Sequence, residues 1–138
     1  MGLPFSPEAR LFYRAAKQRY EDAVLLLEGK RTTGAVYLAG YTVECTLKAL
    51  LLANLSGVRR RKLLSEFRGN RAHSIEWLRS LYRLHIGAQI PRDIARHLVR
   101  AASWSTELRY ATGALKQAVA EEFLKSAAAI FSWADARM

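Results

Sequence analysis

Residues 35–53 are apolar around nearly the whole circumference of a helix: Ala35, Val36, Leu38, Val43, Leu47, Leu50 and Leu52 leave no wide polar face. Such a helix is covered by neighbours on several sides, so the rest of the chain has to supply them. At 1.5 Å per residue it spans roughly 28 Å, the width of a small domain. Its length, and the charges of Glu44 and Lys48 at its middle, argue against a membrane span. One narrow stripe differs. Tyr37, Tyr41, Glu44 and Lys48 stand at i, i+4, i+7 and i+11, within about 60° of one another. Two readings fit this seam. One is an ion pair with tyrosine hydroxyls at a bundle rim, worth a few tenths of a kcal/mol; the other is a polar pocket between helices.

The remaining composition favours helices as the cover. Only three prolines and eight glycines interrupt 138 residues, and Ala, Leu, Arg and Glu are plentiful. One domain, residues 1–138, is expected. No stretch alternates apolar and polar residues with β-branched enrichment, so no strand is expected. The N-terminus lacks the basic-then-apolar pattern of a signal peptide. Cys45 is the one cysteine, reads as a small buried hydrophobe, and suits a reducing cytoplasm, the expected location. One cysteine and three scattered histidines give no metal-ligand spacing, and no cofactor is expected. The net charge of +10 points to a polyanion as partner: RNA, DNA, a nucleotide or an acidic protein.

In chain order, Ser6, Pro7 and Glu8 carry the cap, first-turn and dipole signals that open a helix. Phe12, Ala16, Tyr20, Ala23 and Leu27 recur at helical spacing, and Gly29 is expected to end the helix in a left-handed cap. The short loop 30–34 makes the second helix its antiparallel neighbour, ending near Leu55 to Gly57. Residues 58–72 are strongly basic and are expected to be a solvated loop with one helix turn around Leu63, Leu64 and Phe67. Within it, Arg59, Arg60, Arg61 and Lys62 are candidates for a phosphate-binding surface. His73 and Ser74 open a third helix with Ile75, Leu78, Leu81 and Tyr82 inward. Pro91 starts a fourth, with Ile94, Leu98, Ala101 and Leu108 apolar and Arg92, Arg96 and Arg100 forming a basic ridge; Tyr110 closes it. A fifth runs from about Ala114 to Ala134 with Val119, Phe123, Ala127 and Ile130 inward. The expected fold is all-α, an antiparallel up-and-down bundle of four long helices plus a shorter one.

The string Tyr41 to Leu51, with Glu44 and Lys48, then Ala72-His73-Ser74-Ile75, then Leu108-Arg109-Tyr110, resembles the HEPN domain family (higher eukaryotes and prokaryotes nucleotide-binding). The likeness extends from Arg14–Ala23 to Ile130–Trp133. It implies a symmetric homodimer of helical bundles. Many members resemble partners of a minimal nucleotidyltransferase in pairs that behave as toxin and antitoxin. Others are metal-independent ribonucleases with an Arg-x(4–6)-His motif. Three segments fit that motif: Arg92 to His97, Arg68 to His73, and Arg79 to His85. Arg92–His97 lies at the start of the fourth helix, roughly where active members carry theirs. On a regular helix those two side chains point about 140° apart, so convergence requires an irregular first turn or a second subunit.

Three functions compete. A nucleotide- or partner-binding module uses one polar cluster of Tyr41, Glu44, Lys48, His73, Arg109 and Tyr110, with Arg109 reaching Glu44. A ribonuclease uses His97 as acid or base, Arg92 on the phosphate, and Arg96, Arg100 and residues 59–62 to hold the strand. A DNA-binding protein ranks third, because no base-reading helix stands out. Trp77, Trp104 and Trp133 are candidate interface anchors.

Overall fold

The computed structural model describes residues 3–138, and among them every regular element is helical. Helix α1 (Pro7–Glu28) is capped by the Ser6 hydroxyl, which accepts from the Ala9 N–H at 3.1 Å. Helix α2 (Thr32–Ala53) is the apolar stretch, buried on most of its circumference. Leu26 beside Gly34 and Phe12 beside Lys48 show α1 and α2 running antiparallel. Helix α6 (Gln117–Asp135) lies across both. Thr32 bonds the Leu115 carbonyl at one end of α2 and Asn54 the Arg137 carbonyl at the other, so α2 and α6 are parallel, as diagonal helices of an up-and-down bundle are. Helices α4 (Ile75–His85) and α5 (Arg92–Ala101) complete the cover, α4 against α2 and α5 against α6. Helix α2 starts three residues earlier than the 35–53 stretch, and its 22 residues are, contrary to the expectation, long and apolar enough to cross a membrane, yet 78% of an apolar 18-residue window is buried inside the bundle.

The all-α bundle is the expected class, but its helices are divided differently: α1, α2 and α6 are long, and α3 (Gly57–Glu66), α4 and α5 have ten or eleven residues each. The basic segment is therefore not mainly loop. Leu63 buries one side of α3, and Arg60 binds the Leu55 carbonyl and pairs with Glu8 of α1 at 3.3 Å, which neutralises part of its charge. A single 3-10 turn, Asn70–His73, leads into α4, where Ser74 is the cap. The fourth helix stops at Ala101 rather than Tyr110. Trp104 turns inward against α2 and donates its indole N–H to the Tyr37 carbonyl at 3.1 Å, and Ser105 caps a separate 3-10 turn, Thr106–Tyr110. Val119 is 52% exposed, because the buried stripe of α6 is Ala120, Phe123, Leu124, Ala127 and Ile130. Trp104 and Trp133 are core residues and so are not free to anchor an interface; Trp77 is half-buried.

The end of α1 also differs. Gly29 has φ −81°, and the left-handed residue is Lys30, at φ 61°. The Arg31 N–H bonds the Leu26 carbonyl at 2.8 Å and the Lys30 N–H the Leu27 carbonyl at 3.0 Å. The capping turn is closed one residue later than the glycine, which places an unfavourable conformation on a lysine.

Candidate functional site

The polar seam of α2 is a packed unit. Glu44 is 3% exposed and Lys48 5%, and the Lys48 Nζ donates to Glu44 Oε2 at 2.7 Å. The ammonium also sits 5.5 Å from the Phe12 ring centroid and 5.2 Å from that of Phe67, so aromatic faces take the place of water around it. The second carboxylate oxygen of Glu44 meets His73 Nδ1 at 2.9 Å. Tyr41 stands edge-to-face against both His73 and Trp104, and its hydroxyl is 3.3 Å from that of Tyr37. Burial, then the hydrogen bond with Tyr37, push the Tyr41 phenol above its ordinary range.

Arg109 does not reach Glu44. Both carboxylate oxygens are occupied, one by Lys48 and the other by His73. The exposed guanidinium lies 4.8 Å from the Tyr110 ring centroid and acts through its charge on the Tyr41 hydroxyl. Tyr110 is itself exposed and stands outside the Glu44 unit.

Two open cavities flank Arg109, and it lines both. The first, about 360 Å³, lies where α2 begins; Lys30, Arg31, Thr33, Tyr37 and the 111–114 loop form its other walls. No carboxylate lines it, so three cations face it unopposed. The hydroxyls of Thr32 and Thr33 bond the Leu115 and Gly113 carbonyls at 2.8 and 2.6 Å, fixing the loop to α2. The second, about 430 Å³, is lined by His73, Asn70, Trp104, Ser105 and Glu107 beside Arg109. Arg109 is the residue they share, with cations lining the cavity on the α2 side and an imidazole lining the other.

No hydrogen bond joins Arg92 and His97. Both lie on the regular helix α5; Arg92 is exposed, while His97 Nδ1 is 2.9 Å from the buried Ser126 hydroxyl of α6. Arg100 donates to the same hydroxyl at 3.1 Å and pairs with Glu122, and Arg96 is exposed. Arg61 and Lys62 project from α3, Arg59 lies 3.4 Å from His85 Nδ1, and Arg60 is spent on Glu8. No group of three or more His, Cys, Asp or Glu is placed to hold a metal ion among the described residues.

Sequence reasoning passed over Lys30 and Arg31 as a plain loop. Two adjacent cations directly before a long helix were the available signal, since helix starts favour anions. Trp104 carried no comparable signal, because its place against α2 depends on where α5 ends.

No curated protein and no solved structure matches the chain. The family model described as HEPN domain matches residues 9–137. That span is nearly the whole molecule, so the chain belongs to the HEPN domain family and is, in general terms, a nucleotide- or RNA-related module.

Proposed function

We propose that this HEPN module binds a nucleotide in the groove flanking Arg109 and works, as a homodimer, with a minimal nucleotidyltransferase in a toxin–antitoxin-type pair. The observation that carries the binding reading is the cavity faced by Lys30, Arg31 and Arg109 with no carboxylate in its wall. Cations converging without a counter-charge suit a phosphate, and the net charge of +10 steers anions toward the surface. The family supports the partner and the dimer. The ribonuclease reading on Arg92 and His97 draws less from the geometry, since the two side chains address different surroundings.

Thermal unfolding with ATP beside adenosine tests the binding. A ligand at a hundred times its Kd adds about 2.7 kcal/mol of stability. ATP is expected to raise the Tm of the parent chain, adenosine to do so far less, and Arg109→Ala to remove most of the ATP effect. An equal shift in parent and variant, or no shift with ATP, counts against the groove.

A further inference from the structure

The Arg79-to-His85 spacing is pulled apart by the fold. His85 turns to α3, its Nδ1 3.4 Å from Arg59. Arg79 and Arg83, at i and i+4 on the regular helix α4, share one face instead, and both line a separate cavity of about 260 Å³. Its other walls are Ala88, Gln89 and Ile90 of the connection to α5 and Ala95 of α5 itself, so no carboxylate lines it. Among the described residues no ion pair involves either guanidinium. The Arg79 Nε–H is covered by protein and has no acceptor, a state that costs free energy and is uncommon in folded chains. The connection is held in place: the Ile86 and Gly87 N–H groups both bond the Tyr82 carbonyl at 3.0 Å, and Gly87 takes φ 70°, which glycine adopts at no steric cost. This cavity is at the opposite end of the bundle from Arg109. Tyr82, next to Arg83, packs on Trp133 near the end of α6, and α5 runs antiparallel to α6, with Arg100 at Glu122 and His97 at Ser126. The cations around Arg109 lie instead where α2 begins and Leu115 precedes α6.

We propose that Arg79 and Arg83 form a second, independent anion site, which takes a tetrahedral phosphate dianion: inorganic phosphate or the phosphate of a small ester. Charge sets the class. A phosphate monoester carries about −1.5 to −2 at pH 7, which two guanidiniums balance, whereas a lone carboxylate leaves one of them uncompensated. Like charges at i, i+4 repel each other, and an anion held by both removes that repulsion. The planar guanidinium presents paired N–H groups that match phosphoryl oxygens, and Gln89 adds an amide to the same wall. Size sets the limit. The cavity falls below the roughly 300–1,000 Å³ of drug-sized ligand sites, and its apolar wall is confined to Ala88, Ile90 and Ala95, so the ligand is a small one and not a strand. A phosphate there ties α4, which packs on α2, to α5, which packs on α6.

An NMR titration of the nitrogen-labelled chain with inorganic phosphate at fixed ionic strength tests the site. Saturable shifts are expected at the Arg79 Nε–H, the Gln89 side-chain amide and the backbone of residues 88–90, while acetate at the same ionic strength shifts them far less. Arg83 is exposed, so Arg83→Ala is expected to fold as the parent does and to raise the phosphate Kd at these signals at least about tenfold, the loss of one charge-assisted pair. Arg79→Lys keeps the charge without the fork and is expected to weaken binding as well. Arg109→Ala is expected to leave the Kd at these signals unchanged, which separates this site from the one at the start of α2. Methyl phosphate distinguishes the two sources: tighter binding than inorganic phosphate assigns the site to an ester, weaker binding to the free ion. Shifts that never saturate, that acetate reproduces, or that keep the parent affinity in Arg83→Ala overturn the site, as does their loss in Arg109→Ala. Failure of ATP to shift residues 30–34 counts against the nucleotide reading alone.

Discussion

Gly40 of α2 lies flat against the Trp104 indole: a Cβ built on the glycine would overlap the five-membered ring and its Nε1. The indole has little freedom to retreat, because it donates to the Tyr37 carbonyl and packs edge-on against Tyr41. Gly40→Ala gains about 1 kcal/mol of helix propensity, against an overpacking cost of about 1–3 kcal/mol. The ring is held from two sides, so the cost is expected to win. A net loss of up to about 2 kcal/mol in urea unfolding is the expected outcome. Unchanged or raised stability would mean that the 102–106 segment moves freely.

The Glu44–Lys48 pair is expected to respond unequally to single and double substitution. Lys48→Met leaves a carboxylate buried with only His73 beside it, and Glu44→Gln leaves a buried ammonium between two phenyl rings. Each single change is expected to cost about 3 kcal/mol or more, and the double change less than their sum by at least about 1 kcal/mol. A cycle of Glu44→Gln with Arg109→Ala is expected to show no coupling beyond about 0.5 kcal/mol. Strong coupling there would place Arg109 on the carboxylate after all.

What the sequence made legible follows from locality. The α2 seam was readable because i, i+4 and i+7 on one helix fix Tyr37, Tyr41, Glu44 and Lys48 in a row whatever the fold. Ser6 was readable as a cap for the same reason, while the cap of α4 fell to Ser74, which the sequence placed only with His73 at the helix start. The contact of His73 with Glu44 depends on how the 67–74 segment crosses α2, 29 residues away in sequence, and no local pattern sets that. Arg109 was expected to extend the seam, yet its path is decided by Trp104 turning inward and ending α5 early. The left-handed position moved from Gly29 to Lys30 because hydrogen bonding to Leu26 and Leu27, rather than the glycine, sets the end of α1.

Lys30 joins strain to the groove. A non-glycine residue at φ 61° costs roughly 1 kcal/mol, and here its side chain lines the cationic cavity. Lys30→Gly is expected to raise the unfolding free energy by up to about 1 kcal/mol while weakening ATP or RNA binding, measured on one preparation. Stability and binding that move in the same direction would separate the strained backbone from any role in the groove.

Cys45 sets the alkaline limit. Burial inside α2, then the Glu44 charge, push its thiol up to about 12. The unfolded thiol ionises near pH 8.5. Between those values the native state holds a proton that the unfolded chain has released, so unfolding becomes easier as pH rises. The slope from this one group approaches about 1.4 kcal/mol per pH unit. The buried Tyr13 and Tyr82 phenols, both raised by desolvation first, add to the same trend above pH 10. Stability is therefore expected to hold to about pH 8 and fall beyond pH 9, with Cys45→Ala showing a shallower decline from pH 9 to 10 than the parent chain. Alkylation by iodoacetamide at pH 8 checks the same burial from the other side: the folded chain is expected to resist, and the urea-unfolded chain to react at the rate of a free thiol. Rapid labelling of the folded chain would mean that α2 opens locally at Cys45, and the pH profile would then lose its basis in that thiol.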